Sequence, residues 1–119
     1  MKMRFFQLAQ KISKYSDHPQ HKLGAVIVKK NRVVSMGFNK NKTHPKSTHI
    51  FNRIHAELNA ILKAQENIEG ASIYIYREQL NGTLGLAKPC KSCQSIIMKA
   101  GIISIHYTSY DGYISEELK

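Results

Sequence analysis

Cys90 and Cys93 are the only cysteines of the chain, and they stand three residues apart directly after Pro89. In a chain without a secretion signal, this C-x-x-C spacing indicates either a redox dithiol or half of a metal site. A redox dithiol needs no further partner, whereas a metal site needs at least one more ligand. Both alternatives stay open on the cysteines alone.

His55 and Glu57 are candidates for that further ligand, because they stand at the start of a predicted helix. Residues two apart on a helix project about 200° from each other, so both can face one ion only off the N-terminal end of the helix. Cys90 and Cys93 share one face of the first turn of the next helix, where unpaired backbone N–H groups favour thiolates. Two helix N-termini could thus converge on one zinc ion.

One histidine and two cysteines give zinc three protein ligands, and such a zinc keeps its fourth position for water. That arrangement is typical of catalytic rather than structural sites. Glu57 is then free to act as the base, because zinc lowers the pKa of a bound water to about 7 and a nearby carboxylate can take its proton.

The complete set resembles the H-x-E…P-C-x-x-C signature of the zinc-dependent cytidine and deoxycytidylate deaminase superfamily. The similarity includes the segment HAELNAI at residues 55–61 and Ala100-Gly101-Ile102, and it runs from about residue 23 to about residue 110. It implies an α/β fold, a three-layer α/β/α sandwich whose mixed sheet has four to five strands. We expect a single deaminase domain over residues 1–119.

The resemblance implies a role for each residue of the motif. One zinc ion per chain would be bound by His55, Cys90 and Cys93. Glu57 would carry protons from the water to ring N3 and to the departing amine, while the backbone N–H of Ala56 would hold the pyrimidine carbonyl oxygen.

Two further residues are candidates for substrate contacts. Asn39 stands where the family usually has an asparagine that contacts the sugar. Tyr110, in Ser109-Tyr110-Asp111, is similar to the loop with which polynucleotide deaminases contact the neighbouring base, where an aromatic ring can stack. A tyrosine in a turn can equally serve packing alone.

The predicted reaction is the hydrolytic deamination of cytosine to uracil in a free nucleotide, with dCMP to dUMP as the favoured case. One alternative is the same chemistry on a cytosine or adenine within single-stranded DNA or RNA. Another is a catalytically silent zinc module that binds nucleic acid, which would need a fourth protein ligand. The resemblance also implies a homo-oligomer.

The formal charge of +10 is concentrated in one half of the chain. Residues 1–50 hold eleven Lys or Arg and one acid, whereas residues 51–119 hold seven of each. The surplus either only solvates the surface or meets a phosphorylated small molecule or a nucleic acid. Lys40, Lys42 and Lys46, close to Asn39, could form a rim that gathers phosphate.

The composition excludes other classes of protein. Apolar residues make up 42% and charged residues 22% of the 119 residues, which is far from the composition of disordered chains. No apolar run approaches the roughly 18 residues of a membrane-spanning helix, and polar residues interrupt the N-terminus before a signal-peptide core can form. We expect a cytoplasmic protein that has no membrane partner.

Hydrophobic periodicity predicts the elements that position these residues. A β-hairpin should follow the first helix, and a long polar loop over residues 39–52 should precede the second. The predicted helices cover residues 2–15, 53 to just before 70, and 92–100, and the predicted strands cover residues 23–29, 33–38, 71–76 and 102–107.

A segment from Glu78 to Lys88 separates the third strand from Pro89, where the family usually passes almost directly to Pro-Cys. Asn81-Gly82 at its centre predicts a small hairpin flap with a two-residue turn, either a solvated connection or a substrate lid. The roughly ten residues after the fourth strand leave room for at most a short fifth strand or helix, and an open sheet edge there would invite a partner chain.

Overall fold

The computed structural model describes residues 2–16, 22–39 and 56–118. These ranges contain three helices and five strands. The helices are α1 (Met3–Ser13), α2 (Ala56–Lys63) and α3 (Lys91–Lys99), and the strands are β1 (Lys22–Lys29), β2 (Arg32–Phe38), β3 (Ser72–Glu78), β4 (Ser104–Ser109) and β5 (Gly112–Glu117).

The five strands form one mixed sheet in the order β2-β1-β3-β4-β5. Every neighbouring pair is antiparallel except β3 and β4, which run parallel with Ile73 opposite Ile105. The parallel pair needs a crossover connection, and α3 lies in it. The residues after β4 form a short fifth strand, one of the two elements for which the sequence left room.

The side chains of β1 alternate between two cores. Val26 and Val28 face a cluster with Phe6 and Ala9 of α1. Ala25 and Ile27 face a larger cluster on the opposite side of the sheet, to which α2 and α3 contribute Ala60 and Ile97 among others. This arrangement confirms the predicted three-layer α/β/α sandwich.

Two glycines allow helices to approach the sheet closely. A Cβ at Gly24 of β1 would lie 2.1 Å from the carbonyl oxygen of Ala9 in α1. A Cβ at Gly37 of β2 would lie 2.4 Å from the backbone nitrogen of Ala60 in α2. Neither position can hold a side chain unless a helix moves.

The second helix is shorter than the periodicity predicts. It ends at Lys63, and the following segment turns back, with the Asn67 side chain accepting a hydrogen bond from the Glu69 backbone at 2.9 Å. Ile68, which continues the helical spacing, reaches the core from this loop instead. By contrast Gly101, with φ at +93°, terminates α3 as expected.

The segment after β3 turns back in a narrow hairpin, as expected, but its turn has three residues rather than two. The Gln79 backbone N–H donates to the carbonyl of Thr83 at 2.8 Å, and the Gly82 N–H donates to the carbonyl of Gln79 at 2.9 Å. Gly82 has φ at +88°, which suits the left-handed residue that closes a three-residue hairpin loop. Beyond this turn, Glu78 and Leu84 form an isolated β-bridge between the two arms.

None of the three described helices is both long enough and apolar enough to cross a lipid bilayer.

Candidate active site

Helices α2 and α3 pack side by side on one face of the sheet, and the predicted site lies where they begin. Glu57 occupies the first turn of α2, and Cys90 is the residue immediately before α3. The Glu57 carboxylate lies close enough to both thiols that its charge opposes their ionisation. The fold thus brings one carboxyl group and two thiols together from segments more than 30 residues apart.

Glu57 is a buried carboxyl group, only 3% exposed. Its Oε1 atom has no hydrogen-bond partner among the residues that the structure describes. Burial raises the pKa of this carboxyl from 4.5 to about 7, although a backbone hydrogen bond opposes the change. A carboxyl group that titrates near neutral pH can both take and return a proton, which is the property required of a general acid–base catalyst.

The two cysteines have different environments. Cys90 is exposed, and its Sγ lies 3.3 Å from the Ser92 hydroxyl. Burial alone would raise the pKa of the Cys90 thiol, but hydrogen bonds from Ser92 and the Cys93 backbone outweigh it and lower the pKa. Cys93 is buried, and burial together with the charges of Glu57 and Cys90 raises the pKa of its thiol.

This donor set fits a zinc ion. The charges of Glu57 and Cys90 oppose ionisation of the Cys93 thiol, and a divalent cation would remove that opposition. The Oε1 atom of Glu57 has no partner among the described residues. Thiolate sulfur is a preferred zinc ligand. Within the described ranges, no three such side chains form a complete metal site. His55, the predicted third ligand, lies outside the described residues.

The substrate-contact candidates occupy three different positions. Ala56 is fully buried at the N-terminal end of α2, where backbone N–H groups lack partners within the helix. Asn39 is buried at the end of β2, and its Oδ1 accepts a hydrogen bond from the Leu23 backbone N–H at 2.8 Å. Lys40, Lys42 and Lys46, the predicted rim, lie outside the described residues.

Tyr110 lies in the two-residue turn between β4 and β5, and its side chain is 63% exposed. The neighbouring Ser109 hydroxyl stabilises this turn by donating to the carbonyl of Gly112 at 3.1 Å. A ring so exposed contributes little to the core, so the structure does not favour the packing interpretation of this tyrosine.

A buried amide beside the site is not among the residues that the sequence motif predicts. Asn59 of α2 is buried, and its Oδ1 accepts a hydrogen bond from the Phe38 backbone N–H at 3.1 Å. This bond joins α2 to the end of β2 just before Asn39. The available signal was a polar residue within the otherwise apolar stripe of a short amphipathic helix.

The chain is similar to several known deaminases. Residues 1–109 match the family model described as the cytidine and deoxycytidylate deaminase zinc-binding region. The chain is 33% identical to an uncharacterized deaminase in the luxG 3' region of Aliivibrio fischeri, over 87% of this chain and 69% of that protein. It is 30% identical to the diaminohydroxyphosphoribosylamino-pyrimidine deaminase of Buchnera aphidicola, over 93% and 69%. It is 28% identical to the deoxycytidylate deaminase of Pongo abelii, over 95% and 67%.

The chain therefore belongs to the cytidine and deoxycytidylate deaminase family, whose members are hydrolases that act on C–N bonds, and zinc is its expected cofactor. The solved structure of dCMP deaminase from cyanophage S-TIM5 has the same fold. It superimposes with a TM-score of 0.71 at 24% identity, over 92% of this chain and 86% of that one.

Proposed function

We propose that this chain deaminates a free cytosine nucleotide, with dCMP converted to dUMP and ammonia. The observation that carries the proposal is the buried Glu57 carboxyl beside two thiols, whose Oε1 no described residue pairs. Burying a carboxyl without satisfying it is unfavourable unless the group has a task or an unseen partner. The match to a zinc-binding family, together with this carboxyl, favours a hydrolytic metal site over a redox dithiol.

In this proposal Cys90, Cys93 and His55 hold one zinc ion. When bound, zinc supplies a water that is ionised more easily and a positive charge that stabilises the developing oxyanion. Cys90 and Cys93 can hold it from the start of α3, where the Cys93 backbone N–H donates to Cys90 and favours its thiolate form.

Glu57 transfers the protons of the reaction. Its carboxylate takes one proton from the attacking water and delivers it to ring N3 of cytosine. It then takes the second proton and delivers it to the amino group at C4, so that the C4–N bond breaks and neutral ammonia leaves. Both protons of the water are thereby accounted for, and uracil carries the oxygen at C4. The backbone N–H of Ala56 orients the ring by donating to its C2 carbonyl.

The choice of dCMP rests on charge and on one of the relatives. A phosphate suits a chain with a formal charge of +10, and the Pongo abelii relative is named as a deoxycytidylate deaminase. A second candidate is a base within single-stranded nucleic acid. The exposed ring of Tyr110 favours this candidate, because such a ring can stack on a neighbouring base.

A substrate panel tests the proposal. Ammonia release should be measured with cytidine, CMP, dCMP, dCTP, single-stranded DNA, adenosine-containing RNA and the pyrimidine named for the Buchnera relative. We expect kcat/KM to be highest for dCMP and activity to disappear when a chelator removes zinc. Turnover of DNA or RNA with no turnover of any free nucleotide would overturn the proposal.

We also propose that the chain forms a homo-oligomer. The outer strands of the described sheet are β2 and β5, and β5 exposes the side chains of Tyr113 and Ile114. Unpaired strand edges with apolar side chains favour association with another chain. Light scattering should give a mass that is a multiple of the 13.6 kDa chain, and the monomer mass at micromolar concentration would contradict this proposal.

A further inference from the structure

Residues 84–88, here called the returning arm, lead from the hairpin turn after β3 to Pro89 and Cys90. Their burial alternates, with Gly85 and Ala87 buried and Leu86 and Lys88 exposed. The position of this arm determines where α3 begins, because only one residue separates it from Cys90.

Thr108 of β4 holds the arm at two points. This residue is 0% exposed, and its Oγ1 donates a hydrogen bond to the carbonyl of Gly85 at 2.7 Å. The same oxygen accepts a bond from the Arg77 backbone N–H at 3.1 Å. The Thr108 backbone carbonyl accepts from the Ala87 N–H at 2.9 Å. One residue therefore joins β3, β4 and the arm.

Arg77, at the end of β3, fixes the arm from the other side. Its backbone carbonyl accepts from the Gly85 N–H at 2.9 Å, and its Nη1 donates to the carbonyl of Leu86 at 3.2 Å. A Cβ at Gly85 would lie 3.1 Å from Cγ of Arg77, so the arm lies against this side chain. Lys88 adds a contact to Glu116 of β5 at 3.5 Å.

The hydrogen bonds continue from the arm into α3. The Gln94 side chain donates to the carbonyl of Pro89 at 2.9 Å, and its backbone N–H donates to the carbonyl of Cys90 at 2.8 Å. A contiguous set of bonds thus connects the Thr108 hydroxyl with the turn that carries Cys90. The sheet supplies the fixed end of this connection, since β4 is buried along its whole length.

We propose that Thr108 is a positioning residue, whose hydroxyl sets the position of Cys90 relative to Cys93 and Glu57 and thereby tunes the metal site. The inference rests on the proposed role of Cys90 and Cys93 as zinc ligands. A buried strand position would accept valine, which has the same shape and no hydroxyl to desolvate. Without the hydroxyl, the Gly85 carbonyl would lose this buried hydrogen bond.

The test uses Co²⁺ in place of zinc, because cobalt–thiolate absorption reports the ligand geometry directly. Thr108→Val should lower the Co²⁺ affinity by about tenfold or more, the usual effect of losing a residue that orients metal ligands, and should change the visible spectrum. Thr108→Ser keeps the hydroxyl and should restore both. Ser104→Ala is the matched control, because it removes a buried hydroxyl bond to Ser72 at the opposite end of β4.

Two results would overturn the role of Thr108. One is a Thr108→Val protein with wild-type affinity and spectrum, and the other is a Ser104→Ala protein that is affected equally. If Thr108→Val does not fold, Arg77→Met, which removes the side-chain bond to Leu86, should still weaken Co²⁺ binding because it loosens the arm. Unchanged binding by Arg77→Met would overturn the link between the arm and the metal site on which the role of Thr108 depends. A wild-type chain without a thiolate spectrum would instead overturn the zinc assignment itself.

Discussion

The carboxyl group of Glu57 acquires its chemistry from burial. In water a glutamate ionises near pH 4.5, whereas desolvation at the start of α2 raises the pKa of this group to about 7. The sequence motif predicted the residue and its role as a base. It could not predict the degree of burial, which depends on how closely α2 and α3 pack.

His106, which is not one of the proposed metal ligands, offers a test of how burial changes the pKa of a side chain. Its ring stacks on Tyr74 with centroids 4.4 Å apart, and its Nδ1 lies 2.7 Å from the Ser115 hydroxyl. Burial lowers the pKa of His106 below its ordinary 6.5, while Glu117 opposes the shift. The unfolded chain therefore binds more protons than the folded chain as the pH falls below about 6.5.

His106 should consequently contribute a decrease in the free energy of unfolding as the pH falls from about 6.5 towards its lowered pKa, whereas the raised pKa of Glu57 contributes an increase over the same range. Urea denaturation of two proteins at pH 7.5 and pH 5.5 separates the contribution of His106. Relative to the wild type, His106→Gln, which cannot titrate, should become more stable at pH 5.5 than it is at pH 7.5, because all other groups contribute equally to both proteins. Equal changes in the two proteins would show that His106 titrates normally.

The elements were predictable wherever the hydrophobic pattern was regular. Alternation and β-branched residues located β1 and β2, and the helical spacing of Phe5, Ala9 and their neighbours located α1. The end of α2 was not predictable, because Ile68 fits the helical spacing but reaches the core from a loop. The position of the returning arm was not predictable either, because residues of β3 and β4 outside the arm make its hydrogen bonds.

Gly37 determines how closely α2 can approach β2. An added methyl group would lie 2.4 Å from the Ala60 backbone nitrogen, which α2 can avoid only by moving. Gly37→Ala should lower the free energy of unfolding by about 3 kcal/mol, the upper range for overpacked sites. Urea denaturation measures this change.

Gly70→Asn provides the control for that prediction. Nothing lies within 4 Å of the added Cβ, and asparagine tolerates the positive φ of 83°. This variant should stay within about 0.5 kcal/mol of the wild type. Comparable destabilisation of the two variants would contradict the close approach of α2 to the sheet.

At the scale of the whole molecule, the uneven charge distribution indicates what charge the substrate carries. Every proposed zinc ligand and Glu57 belong to the electrically balanced residues 51–119, whereas the surplus charge belongs to residues 1–50. Among the described residues, the surplus basic side chains belong to α1, to the β1–β2 hairpin and to the residues beside them. Asn39 is the last described residue of this region. Charge and catalytic group thus come from different parts of the chain, an arrangement that suits a substrate with an anionic end and a neutral base.

Ionic strength should therefore affect charged and uncharged substrates differently. Raising the salt concentration from about 0.1 M to 1 M shortens the Debye length from about 10 Å to 3 Å and screens the attraction of a phosphate. The KM for dCMP should rise several-fold, and the KM for cytidine, if it is turned over, should stay nearly constant. Equal changes for both substrates would argue against a phosphate attraction by residues 1–50.

The most direct test of the account compares ammonia release from dCMP by the wild type and by Glu57→Gln, with zinc content measured in both. Glu69→Gln, an exposed carboxyl on the loop after α2, serves as the matched control. We expect Glu57→Gln to bind one zinc per chain and to lose at least about 100-fold in kcat, since it cannot accept the proton, while Glu69→Gln keeps full activity. A zinc-loaded Glu57→Gln protein with wild-type kcat would contradict the central claim.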